Sequence, residues 1–253
     1  MRVLAIVSAK GGVGKTTVCA NLCTALRMQN EWVIGIDMDP QNALRFHLGL
    51  NVDEVHGSAP AALAGTALRE ACFQARLGVY VLPYGDIDEG ARAQFEDMLE
   101  RDPLWLRHAL QALALPPQAW VLIDTPPGPS VYIRQALAAA DVAVVTTLAD
   151  AASYATLPLI ERLIATYSES RPGFLGTVFV VNQANQARQL ARDVAQVMQA
   201  QLGDRLIGLV HQDQAVGEAL ASSQSVLEYD PHSQSTRDFN LVARWLRDHL
   251  HTS

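Results

Sequence analysis

Apolar residues in this chain gather in short, nearly continuous runs, separated by longer stretches with helical spacing. The runs predict strands at Arg2–Ser8, Trp32–Asp37, Val79–Pro83, Trp120–Asp124, Val142–Thr147, Thr177–Asn182 and Arg205–Val210. Continuous apolar runs of this length are what strands covered on both faces require. Between them, recurrence of apolar residues at three and four positions predicts helices at Lys15–Gln29, Ala91–Arg101, Leu104–Leu113, Tyr132–Ala140, Thr156–Tyr167, Gln186–Leu202, Gln214–Ser222 and Ser235–Leu250. Strand–helix alternation predicts an α/β fold: a mostly parallel central sheet with helices on both faces, in one domain over residues 1–253. The Ala-rich section from Asn51 to Leu77 has no clear period, and no internal repeat or linker stands out.

The first strand runs straight into "AKGGVGKTT", Ala9 to Thr17, and a helix follows. This is the setting of a phosphate-binding loop. Gly11, Gly12, Val13 and Gly14 let backbone N–H groups approach an anion, and the following helix N-terminus adds its dipole. Lys15 is placed to reach the β- and γ-phosphates. The hydroxyl of Thr16 is placed for Mg²⁺, and Thr17 continues the turn. The loop departs from the common pattern in one respect: Ala9 stands where the first glycine is usual, and Lys10 follows it. Seventeen of the nineteen Lys and Arg residues are Arg, and the two lysines are both in this loop. Lys is a compact charge on a flexible stem and Arg a wide planar fork, so a loop wrapped round a triphosphate has room for the first.

Two acidic strand ends follow. In "VIGIDMDPQ", Asp37 and Asp39 alternate at the end of a strand, so an extended backbone points both the same way. Pro40 then breaks the strand. "WVLIDTPPG" is an apolar strand ending in Asp124, the arrangement of an acid that holds Mg²⁺ beside a nucleotide. Pro126 and Pro127 make the next segment a loop. Ligands of open α/β sheets sit beyond the carboxyl ends of the strands, where all three carboxylates fall.

"KGGVGKTT" resembles the deviant Walker A loop of the ParA/MinD class of ATPases, P-loop NTPases of the SIMIBI group. The resemblance implies ATP and Mg²⁺ as ligands and an ATP-sandwiched homodimer, in which Lys10 reaches across the interface to the partner's nucleotide. "DMDPQ" resembles the switch I segment of that class. By resemblance Asp39 positions the attacking water, Asp37 supports the magnesium shell with Thr16 and Asp124, and Lys10 and Asp39 are the catalytic pair. Asn182, at the end of "VFVVNQ", would face the adenine, with the loop from His211 to Asp213 also touching the base. No Cys lies in the Asp124 segment, which removes a cluster-binding iron-protein reading.

Within the class, "LRFHLGLN" (Leu44–Asn51), "VLPYG" (Val81–Gly85) and "HQDQAVGEALASSQSVLEY" (His211–Tyr229) look most like the BcsQ family of cellulose-secretion operons. That resemblance implies a slow ATPase working with a small operon-encoded partner protein and the inner-membrane cellulose synthase complex. Two other members of the class define the alternatives: a ParA-type DNA-partitioning ATPase and a MinD-type membrane-associated positioning ATPase.

Charge and apolar length bear on those alternatives. Net charge is −7, which opposes a protein that coats nucleic acid. The candidate basic patch is thin: Arg188 and Arg192, with Arg237, Arg244 and Arg247. No strong nucleic-acid binding is expected. No apolar run is long enough to cross a bilayer, and "MRVLAIVSAKGG" reads as a strand rather than a secretion signal. The last helix carries Phe239, Val242, Trp245 and Leu246 on one side and is expected to pack on the domain, so that membrane association is indirect. Cys19, Cys23 and Cys72 suggest no disulfide framework, and a cytoplasmic setting is expected.

Overall fold

The computed structural model describes residues 1–50, 55–185 and 187–250. Eight strands form one sheet: β1 (Arg2–Val7), β2 (Val33–Asp37), β3 (Phe73–Gln74), β4 (Tyr80–Leu82), β5 (Trp120–Asp124), β6 (Val142–Leu148), β7 (Gly176–Ala184) and β8 (Leu206–His211). Their order is β3-β4-β2-β5-β1-β6-β7-β8. Every neighbouring pair is parallel except β3 with β4. The two-residue edge strand β3 comes from the section without a period, and such a short piece leaves no pattern to read.

Among the described residues, eleven α-helices accompany the sheet: α1 (Lys15–Met28), α2 (Leu44–His47), α3 (Ser58–Ala64), α4 (Glu89–Arg101), α5 (Trp105–Ala112), α6 (Val131–Ala139), α7 (Ala151–Ile164), α8 (Gln189–Leu202), α9 (Gln214–Ala221), α10 (Val226–Tyr229) and α11 (Gln234–Leu250). Two apolar clusters lie on the two faces of the sheet. Phe95, Leu106, Ile133, Ile160 and Met198, from α4 to α8, fill one. Leu22, Leu26, Phe239, Val242 and Leu246, from α1 and α11, fill the other. Cys19 and Cys23 are fully buried in the second, as small core residues.

The boundaries of α7 and α8 differ most from the sequence reading. Helix α7 begins at Ala151, five residues early, because the Asp150 carboxylate caps it by accepting from Ser153 N–H at 2.7 Å. Its continuation past Ile164 is a π-helical turn, Ala165–Glu169. Helix α8 begins at Gln189; the earlier start expected at Gln186 falls on a residue outside those described, as does Asn51.

Strand β8 and helix α11 approach closely at Gly208. A Cβ there would sit 2.3 Å from Cγ2 of Val242, so a larger residue fits only if Val242 or the helix that carries it shifts. Phe239, Val242 and Leu246 are at most 1% exposed, while Trp245 is half-buried and stacks on His249. The last helix therefore belongs to the core, as its apolar stripe predicts.

Candidate nucleotide site

The register of the sheet brings the predicted residues together. Asp124 on β5 lies opposite Ile6 on β1 and Asp37 on β2, so the phosphate-loop strand runs beside the strand that carries Asp124. The loop from Ser8 to Gly14 then crosses the carboxyl end of the sheet. Gly12 and Gly14 both have left-handed backbones, with φ of 74° and 83°. At Gly14 a Cβ would come within 2.3 Å of Asn182 Nδ2, so both backbone and space demand glycine. The loop is tied down at its start: Ser8 Oγ donates to the Lys10 carbonyl at 2.7 Å, and Gly128 N–H donates to the Ser8 carbonyl at 3.1 Å.

Lys15 is buried beneath this loop. Burial lowers its pKa, and the carboxylates of Asp124 and Asp39 act in the other direction. Asp124 is completely buried; neither oxygen makes a hydrogen bond of full geometry among the described residues, and the Thr16 hydroxyl and the Thr125 N–H are the donors beside it. Burial raises its pKa to about 7, with Thr16 and Lys15 the neighbours that favour its charged form. A buried carboxylate so weakly satisfied by its neighbours is costly unless a cation offsets its charge. A divalent cation fits. Among the described residues no group of three or more His, Cys, Asp or Glu forms a metal cage. Mg²⁺ commonly uses one or two protein oxygens, with waters and substrate phosphates completing its shell. Thr16 and Asp124 are the side chains that would hold it.

Asp37, which the resemblance put in the magnesium shell, has both oxygens engaged by backbone N–H groups. Its Oδ1 accepts from Asp39 N–H at 2.9 Å and its Oδ2 from Leu44 N–H at 3.0 Å. It braces the turn that carries Asp39, and burial beside Asp124 raises its pKa well above the ordinary carboxylate range. Asp39 folds back on its own turn, accepting from Gln41 N–H at 2.9 Å. Its carboxylate lines a cavity of about 530 Å³ with Pro126, Pro127 and Tyr132, between the loops that follow β2 and β5. Those two loops are coupled to the sheet and to each other: Met38 N–H donates to the Asp124 carbonyl at 2.9 Å.

On the other side of the loop, Thr17, Asn182, Gln183, His211, Asp213 and Phe239 line a cavity of about 230 Å³. Asn182, His211 and Asp213, which the resemblance implied for the base, line this cavity together, and Thr17 of the phosphate loop joins them. Asn182 itself is engaged, donating from Nδ2 to the Val13 carbonyl at 2.9 Å.

Lys10 stands apart from Lys15. It is half exposed, and its Nζ lies 3.6 Å from Asp150 Oδ2. Asp150 was not among the residues singled out from sequence. The signal was present: like Asp37 and Asp124, it follows an apolar strand at the carboxyl edge of the sheet.

A strand–glycine loop–helix unit over a buried Mg²⁺-type carboxylate, flanked by a base-sized cavity, defines the P-loop ATPase class, and the two-lysine loop places it in the ParA/MinD branch. A family model for the cellulose biosynthesis protein BcsQ matches residues 1–246. The chain belongs to the BcsQ family. It is 31% identical to the cellulose biosynthesis protein BcsQ of Salmonella typhi, over 97% of this chain and 94% of that protein. It is also 31% identical to the chromosome partitioning protein ParA of Caulobacter vibrioides, over 96% and 93%. Among solved structures, the septum site-determining protein MinD of Pyrococcus horikoshii, complexed with Mg-ADP, superposes with a TM-score of 0.77 at 25% identity, covering 97% of this chain and 95% of that one.

Proposed function

We propose that this protein is an ATP-dependent dimerising switch ATPase of the bacterial cellulose secretion system, acting on the cellulose synthase complex through a small partner protein. The observation that carries the nucleotide part is Asp124, fully buried at the carboxyl end of β5 beside Thr16 and Lys15, with neither oxygen in a hydrogen bond of full geometry among the described residues. The family match supports the cellulose part. Lys15 holds the β- and γ-phosphates of its own subunit. Bound Mg²⁺ supplies neutralisation of charge at those phosphates. Asp39 orients the attacking water, and Asp37 holds the Asp39 turn through the two N–H groups it accepts. Lys10 leaves Asp150 and contacts the partner's nucleotide. Because Asp39 and the Pro126–Pro127 loop line one cavity, a γ-phosphate there would order both loops together. The protein acts in the cytoplasm and reaches the inner membrane through its partners; among the described residues no helix is long and apolar enough to cross a membrane.

Affinity capture from the native host, with and without ATP, tests this reading. Recovery of cellulose synthase subunits in an ATP-dependent manner supports it. Recovery of chromosomal DNA instead supports the partitioning reading, which the equal identity to the Caulobacter ParA keeps in view. Charge distribution favours the first outcome. Arg192 is on α8 and Arg237 and Arg244 are on α11, helices that cover opposite faces of the sheet. With a net charge of −7 and the basic residues divided between these helices, gel shifts with random duplex at near-physiological salt are expected to show no micromolar binding.

A further inference from the structure

The base-sized cavity has a second layer of support that comes from the last helix. Asp238, on α11, is 5% exposed. Its Oδ2 accepts from the backbone N–H of His211 at 2.8 Å and lies 2.8 Å from His211 Nδ1. Its Oδ1 accepts from Gln234 Nε2 at 2.9 Å, which fixes the carboxylate plane. One turn earlier, Ser235 donates from its backbone N–H (3.2 Å) and its hydroxyl (3.0 Å) to Oδ2 of Asp213. His211 and Asp213 are the two ends of the loop that walls the cavity, so α11 grips that loop at both ends.

We propose that Asp238 is a positioning residue for nucleobase recognition: it orients the His211 ring and main chain as a wall of the adenine pocket, with Ser235 doing the same for Asp213. The proposal rests on the ATP reading above. The carboxylate next to Nδ1 holds the hydrogen on that nitrogen and sets the plane of the ring. One carboxylate oxygen, Oδ2, meets both the backbone N–H and the ring Nδ1 of His211, which ties the orientation of the ring to its main chain. The last helix is packed against α1, the helix that begins at Lys15, through Phe239, Val242 and Leu246. Base pocket and phosphate loop are therefore held on one rigid layer. Asp238 acts through His211 and does not itself line the cavity.

The contribution is to binding of the base and not to the chemistry at the phosphate, which separates it from a general loss of structure. The probes are Mg-ATP and inorganic tripolyphosphate with Mg²⁺, the second offering the phosphate loop a chain of anions without a base. Wild-type protein is expected to bind ATP more tightly than tripolyphosphate. In Asp238→Ala the ATP affinity is expected to fall by about tenfold, the scale of losing hydrogen bonds to a charged group. Tripolyphosphate affinity is expected to stay the same, so the margin between the two ligands shrinks. Asp238→Asn, which keeps one acceptor oxygen for His211, should restore part of that margin. Asp238→Ala combined with His211→Ala should lose no more than His211→Ala alone, because the first acts through the second. Ser235→Ala, which removes one of two bonds to Asp213, should show a smaller loss in the same direction with an intact fold. An unchanged margin in Asp238→Ala overturns the proposal, whatever Ser235→Ala shows. Equal losses for ATP and tripolyphosphate also overturn it, since they mark a general lesion. Failure of the wild type to bind Mg-ATP would instead refute the nucleotide reading on which the proposal stands.

Discussion

Lys10 Nζ lies 3.6 Å from Asp150 Oδ2, so in the single subunit the second lysine of the phosphate loop is held on the N-terminus of α7. Both partners are about 40% exposed, and pairs of that kind contribute only about 0.2–1 kcal/mol. The contact is strong enough to bias where Lys10 points and weak enough to be given up. Asp150→Asn should keep the helix cap, since an amide oxygen can still accept from Ser153 N–H, but remove the charge that holds Lys10. Titrating ATP against dimer mass by light scattering should show the variant dimerising at about two- to fivefold lower ATP, the equivalent of such a pair. A variant needing the same or more ATP would show that the pair does not compete with dimerisation.

Asp39→Ala should bind Mg-ATP and hydrolyse it at least about tenfold more slowly, because orienting water matters in the transition state and little in ground-state binding. The variant should accumulate as the ATP-bound dimer. Phosphate release measured beside nucleotide binding separates the two effects, and unchanged turnover would remove Asp39 from its role.

Gly14→Ala should lose nucleotide binding and stability together. The new Cβ would lie 2.3 Å from the Asn182 amide, on a backbone with φ of 83°. Left-handed strain alone costs about 1–3 kcal/mol, and relief of the clash requires Asn182 to release the Val13 carbonyl. A thermal melt and a nucleotide titration check both. Wild-type binding in this variant would mean that the loop conformation changes fully when ATP enters.

Burial at His47 makes stability fall in mild acid. Desolvation lowers its pKa to about 4 from the ordinary 6.5. As pH falls, the unfolded chain takes up the proton first, so stability is complete above 6.5 and is lost progressively between 6.5 and about 4. The loss from this group amounts to about 3 kcal/mol across the window. Urea unfolding of wild type and His47→Gln at pH 7 and pH 4.5 tests the sign: the wild type's advantage should shrink at the lower pH. A difference that does not change with pH would contradict it.

The sheet was legible because its strands are covered on both faces and read as apolar runs without alternation; β1, β5 and β6 matched within a residue. The site was legible because α/β sheets place chemistry at strand ends, and Asp37, Asp39 and Asp124 all obey that rule. What escaped is of two kinds. The short elements α2, α10 and β3 are held by tertiary contacts, such as Val226 N–H to Asn21 Oδ1 at 2.9 Å, and have too few residues to show a period. The supports at Asp150, Asp238 and Ser235 act through space on residues far away in sequence. Asp238 is 27 positions from His211, and nothing in the helical stripe around it marks it as different from a solvent-facing acid.

In the proposed mechanism the two lysines divide their work between two subunits, and the deciding measurement is ATP-dependent dimer mass with Mg²⁺. Wild-type protein should be monomeric without nucleotide and dimeric with ATP. Lys15→Ala should lose ATP binding itself, and so remain monomeric. Lys10→Ala should bind ATP with modestly changed affinity yet remain monomeric and fail to hydrolyse, because charge-assisted contacts worth about 1.5–3 kcal/mol each are lost where two anionic sites face one another. Lys10→Arg should not restore the dimer fully, since the wider fork must fit a loop shaped for close approach. If Lys10→Ala forms the same ATP-dependent dimer as wild type, Lys10 is not the contact between subunits and the account fails at its centre.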